Sequence, residues 1–86
     1  MISIKECLDY SDLTEDEVSI VALREDLPFA TAAELACCLA QTAEGIEALR
    51  FLLQEAVHDA TKYRQAGTLK IARRAYKQFS ATFPEP

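Results

Sequence analysis

Glycine is almost missing from this 86-residue chain, which has only Gly45 and Gly67. A loop that cradles phosphates needs several glycines close together, so a nucleotide-binding loop of that kind is excluded. Histidine is scarcer still, with His58 alone. No serine or cysteine has a histidine placed for it by a recognisable motif, which argues against nucleophilic catalysis. The three cysteines, Cys7, Cys37 and Cys38, are an odd number without zinc spacing. They read as thiols, and a reducing cytoplasm is the expected compartment. Long apolar runs are also lacking: the stretch from Ala32 to Ala40 is broken by Glu34 and falls far short of the ~20 residues that span a bilayer. Lys5 and Glu6 bring charge into the first turn of the chain, so neither a secretory leader nor a membrane span is expected.

What remains is the composition of an ordinary soluble globule, with 50% apolar and 27% charged residues. At this length one domain covering residues 1–86 is expected. Its high ratio of surface to core makes association with a partner or a second copy a plausible source of extra burial.

Strand-like alternation hardly occurs, whereas apolar residues three and four apart recur from Leu13 onward. The fold class predicted is all-α: a compact bundle of four main helices, about 14–26, 28–41, 44–65 and 69–82, plus a short N-terminal helix to about Tyr10. Thr14 with Glu17 forms a capping box, and Leu13 can staple onto Val18. Pro28 suits the first position of the second helix. The third helix is the spine, with Ile46, Leu49, Leu53, Ala56, Ala60 and Tyr63 along its seam, and Gly67 is a candidate left-handed stop after it. Thr68 can cap a last helix in which Leu69, Ala72, Tyr76, Phe79 and Phe83 repeat the same rhythm.

The spine raises the one question of metal chemistry. Glu55 and His58 have the Glu-x-x-His spacing with which di-iron carboxylate bundles build part of a site. A single histidine could complete such a site only at the interface of a symmetric dimer. The seam turns the pair outward, and Lys62 follows on the same stripe, so no metal and no cofactor is expected. Phe51 shares that outward stripe. Covering it falls either to the N-terminal segment, with Ile2, Ile4 and Leu8, or to a dimer or partner helix. Cys37 and Cys38 point about 100° apart on a helix and lack the spacing of a disulfide exchanger. Asp9, Asp12, Glu15, Asp16 and Glu17 lack the alternation of a calcium loop and read as helix capping.

Charge is unevenly spread. Through Glu47 there are eleven acids and two bases, and from Ala48 onward three acids and seven bases, for a net charge of −5. Lys70, Arg73, Arg74 and Lys77 form a basic strip on the last helix. An acidic chain repels phosphate, so the strip is expected to pair with acids within the bundle or across a dimer rather than to bind nucleic acid.

Glu25-Asp-Leu-Pro28, Ala33-Glu-Leu35, Gly45 after a threonine, Phe79 and Phe83-Pro84 together resemble a group of small bacterial all-helical proteins of uncharacterised activity. The likeness covers roughly residues 13–84 and implies the helical fold alone. Members of that group often carry histidines beside the glutamate that matches Glu25, where this chain has Arg24 and Asp26. The functional expectation is therefore a small non-catalytic protein-interaction or regulatory module. It would act through its acidic N-terminal half and exposed apolar residues, with Phe51, Glu55 and His58 as the binding residues. Two other classes compete: a metal-dependent oxidoreductase assembled at a dimer interface, and a nucleic-acid binder using the basic last helix.

Overall fold

The structure, a computed structural model, describes residues 12–85. Four helices follow one another: α1 (Glu15–Glu25), α2 (Phe29–Leu39), α3 (Ala43–Lys62) and α4 (Ala66–Thr82). The described residues contain no strand. The all-helical bundle is as expected, while the short N-terminal helix falls outside the described residues.

Each start and stop has a local cause. Thr14 opens α1, its Oγ1 accepting from the Glu17 amide at 3.4 Å, while Leu13 and Val18 pack into the core on either side of the cap. The helix closes on Asp26, whose φ of 54° lets the Leu27 amide reach back to the Ala22 carbonyl at 3.0 Å. Pro28 then directs the chain into α2, sitting just before the first helical residue rather than at it. Thr42 caps α3 by accepting from the Gly45 amide at 2.9 Å. Gly45 is required for space, since a Cβ there would lie 1.8 Å from the Leu39 carbonyl oxygen where α2 ends against α3.

The next connection differs from the expectation. Gly67 lies inside α4 and has no positive φ; the left-handed residue is Arg64, with φ 55°. Its turn lets the Gln65 amide donate to the Ala60 carbonyl at 2.9 Å, so α3 closes at Lys62 and α4 begins at Ala66. Thr68 is therefore a residue of the first turn, not a cap.

In the bundle, α1 and α3 each pack against all three other helices, and α2 and α4 flank this central pair. The core joins Val18, Ile20 and Val21 of α1, Leu49 and Leu53 of α3, and Phe79 of α4, all fully buried or nearly so. Alanines fill the rest: Ala32, Ala33 and Ala36 of α2, Ala56 and Ala60 of α3, Ala72 and Ala75 of α4. Such small side chains let helix backbones approach closely, so the core is tight rather than bulky. The seam expected of α3 is present from Leu49 to Ala60, but Tyr63 lies beyond the helix and is exposed. No helix among the described residues is long and apolar enough to cross a membrane.

Candidate protein-binding face

The seam fixes what α3 shows to the outside. With Leu49, Leu53, Ala56 and Ala60 turned inward, Glu55 and His58 are both exposed, as the rotational phase of the sequence implied. Phe51 is on that side too, with 61% of its surface in solvent. A single exposed aromatic is ordinary. What sets Phe51 apart is its setting: it borders a groove of about 300 Å³ whose apolar wall is Leu35 and Leu39 of α2 with Ala48 and Leu52 of α3. Arg24, Glu25 and Glu55 form its charged rim. An apolar centre inside a polar rim is the usual anatomy of a protein-binding patch.

Arg24 organises that rim. Its guanidinium donates from Nη1 to Asp59 Oδ2 at 2.5 Å and from Nη2 to Glu55 Oε2 at 3.3 Å, tying α1 to α3. The Arg24 hydrogen bond holds the Asp59 carboxyl below the usual carboxylate range, with help from the charges of Arg24, His58 and Lys62. Beyond Arg24 a second hollow of about 280 Å³ opens between Leu23, Ala56, Ala60 and Thr68, and Leu23 is 60% exposed there. The two hollows share Arg24 as a common wall.

The Glu55 carboxylate is thus engaged by a cation. Among the described residues no group of three or more His, Cys, Asp or Glu side chains is placed to hold a metal ion.

The basic strip is only partly free. Lys70, Arg73 and Lys77 are exposed, but Arg74 grips Asp16 of α1 with two nitrogens, Nε to Oδ2 at 2.6 Å and Nη2 to Oδ1 at 3.0 Å. This is the pairing within the bundle that the charge imbalance suggested, and it raises the Arg74 pKa.

Reading the cysteines as thiols needs correction. Cys38 is a free, exposed thiol, but its half-buried neighbour Cys37 is disulfide-bonded. Successive side chains on a helix diverge by about 100°, so adjacent sulfurs meet different surroundings. Disulfides belong to oxidising compartments, and the inference to a reducing cytoplasm loses its premise. Cys7 lies outside the described residues.

Two charged residues are buried that the sequence reading did not place in the core. Glu17 is 2% exposed, and its Oε2 has no hydrogen-bond partner among the described residues. Thr14 Oγ1 lies 3.1 Å from Glu17 Oε1 and 2.8 Å from Gln78 Oε1, yet a hydroxyl has one proton to give. The one hydroxyl proton is therefore shared between Glu17 Oε1 and Gln78 Oε1. Burial pushes the Glu17 pKa up, from 4.5 to about 7, against the hydrogen bonds from Thr14 that lower it. Arg50 is 4% exposed. Its Nη2 donates to the Phe83 carbonyl at 2.7 Å, its Nε reaches Glu47 Oε1 at 3.3 Å, and the guanidinium carbon stands 5.3 Å from the Phe79 ring centroid. Among the described residues Nη1 has no partner, and leaving a buried donor unpaired costs roughly 1–3 kcal/mol. The available clue was position: Glu17 lies one turn before Val21 and Arg50 one turn after Ile46, so both fall on apolar stripes.

The chain matches no protein-family model, no curated protein and no solved structure.

Proposed function

We propose that this chain is a small, non-catalytic protein-binding module that docks through the Phe51 face. The observation that carries the reading is an aromatic ring left 61% exposed beside an apolar groove with a charged rim. Buried aromatic anchors in pockets supply most of the binding energy at protein interfaces, whereas scattered surface contacts supply little. Phe51 is the anchor, Leu35, Leu39 and Leu52 are the ground it packs beside, and Glu55 sets the register through charge. His58, one turn further along α3, extends the rim.

The exposed carboxylates of Glu15 and Glu25 on α1, Glu34 on α2, and Glu44 and Glu47 at the start of α3 favour a partner whose complementary face is basic. The exposed cations of α4 make a second copy of this chain a candidate partner. Sedimentation velocity of the wild type and Phe51→Asp over a concentration series separates the cases. A dimer that dissociates in the variant assigns the face to self-association. A monomer in both assigns it to a different protein. A dimer that persists unchanged in Phe51→Asp removes this face from self-association.

Other readings fare less well on their own chemistry. A metal-dependent oxidoreductase would need Glu55 to leave Arg24 and would gather its remaining ligands from another chain. A nucleic-acid site on α4 would rely on Lys70, Arg73 and Lys77, because Arg74 is bound to Asp16.

A further inference from the structure

Three ties bring four helix ends to one end of the bundle. Thr14, just before α1, donates to Gln78 near the end of α4. Arg50 of α3 donates to the Phe83 carbonyl that closes α4, and Gly45 in the first turn of α3 lies against Leu39, the last residue of α2. The start of α1 and the end of α2 are therefore neighbours.

Cys37 sits at that end, in the last turn of α2. It stands about 160° around the helix from both Leu35 and Leu39, and about 40° from buried Ala33. α2 packs against α1 and α3, and the Phe51 groove puts Leu35 and Leu39 on the α3 side. Cys37 is left to the α1 side, where the chain enters the bundle at buried Leu13.

The chain has three cysteines, of which Cys37 is disulfide-bonded and Cys38 is a free thiol. Within one molecule only Cys7 remains as a partner. Cys7 precedes Leu13 by six residues, a reach of up to ~20 Å, whereas packed helices lie about 8–10 Å apart. α2 is also the helix that gains most from a tether. Its fully buried side chains are the alanines Ala32, Ala33 and Ala36, while every other helix buries at least one Val, Ile, Leu or Phe.

We infer that Cys7 is the partner of Cys37 and that their bond is a redox-sensitive clamp, holding α2 against α1 in the oxidised protein. The bond forms by thiol–disulfide exchange: the two thiols pass two electrons and two protons to a small-molecule disulfide, which leaves as two thiols. A dithiol reverses the step and becomes a cyclic disulfide. Closing the loop from residue 7 to residue 37 also restricts the unfolded chain. The clamp does not depend on the Phe51 reading.

Alkylation of the full chain in denaturant without reductant, followed by intact mass, counts the open thiols. One label is expected on the wild type, none on Cys38→Ser and two on Cys7→Ser. Any other count on the wild type would overturn the pairing. So would a covalent dimer that survives Cys7→Ser but not Cys37→Ser, because a second copy would then hold the bond. The clamp itself is read by amide hydrogen exchange of Cys38→Ser with and without dithiothreitol. Reduction should speed exchange across residues 29–39 at least about tenfold more than across residues 49–56, and should raise the unfolding constant in urea roughly a hundredfold. The double variant Cys7→Ser with Cys38→Ser should ignore the reductant. Exchange in α2 that does not respond to reduction, or a double variant that responds as Cys38→Ser does, would overturn the clamp.

Discussion

Arg24 and Asp59 meet at 2.5 Å across the junction of α1 and α3, and Arg24 lines the hollows on both sides of it. The carboxyl titrates below its ordinary value, chiefly because Arg24 donates to it. A carboxyl with a depressed folded-state pKa adds stability above its unfolded pKa and loses it as pH falls through the folded one. Urea denaturation of the wild type and Asp59→Asn should therefore show a stability difference at pH 7 that shrinks steadily below about pH 4. A difference independent of pH would mean that the pair does not hold α1 to α3.

Glu17 has the opposite sign. Its folded-state pKa of about 7 lies above the unfolded value of 4.5, so its contribution is fully present below about pH 4.5 and is lost as pH rises through 7. The shift corresponds to at most ~3 kcal/mol. Glu17→Gln keeps the side-chain oxygen that accepts from Thr14 without a titrating charge, and should flatten the loss of stability between pH 5 and pH 8 in thermal or urea melts. A variant that loses stability with rising pH as steeply as the wild type would place the titrating group elsewhere.

At Gly45 two physical effects compete. Helix propensity alone says that Gly→Ala inside a helix stabilises by about 1 kcal/mol. The Cβ, however, would meet the Leu39 carbonyl oxygen at 1.8 Å, and backbone cannot step aside as a flexible side chain can. Overpacking costs of about 1–3 kcal/mol or more then dominate, and Gly45→Ala is expected to destabilise. Gly67→Ala, with open space around it, should stabilise the chain by up to about 1 kcal/mol. Chemical denaturation of the two variants tests both signs.

Cysteine accessibility is checked by peptide mapping after maleimide labelling. In the unreduced protein Cys38 should label, while Cys37 should label only after reduction. Labelling of Cys37 without reductant would restore the reading of it as a thiol.

The helices and the inward face of α3 were legible in the sequence because both depend on spacing alone. Leu49, Leu53, Ala56 and Ala60 recur with the helical period, and that phase also turned Phe51, Glu55 and His58 outward. The cap at Thr14 was legible because its partners are three and four residues away. Arg64 was not, since arginine has no preference for a left-handed turn and Gly67 stood nearby as the better residue by type. Buried Glu17 and Arg50 were hidden for another reason. Charge argues for exposure, and the groups that receive Arg50, Phe79 and the Phe83 carbonyl, come from the far end of the chain, as does Gln78, which shares the Thr14 hydroxyl with Glu17. The groove beside Phe51 likewise needs Leu35 and Leu39 from a second helix, so no single stretch of sequence contains it.

The most direct measurement compares wild type and Phe51→Asp as immobilised baits in equal amounts against isotope-labelled lysate of the source cells, followed by reconstitution of each differential binder from purified components. An interface anchor contributes about 2 kcal/mol or more, or roughly thirtyfold in affinity. The expected result is at least one protein, this chain included, that binds the purified wild type and is weakened by that factor in a variant whose circular dichroism is unchanged. Equal binding of every captured protein to the two baits would contradict the assignment of the Phe51 face as the binding surface.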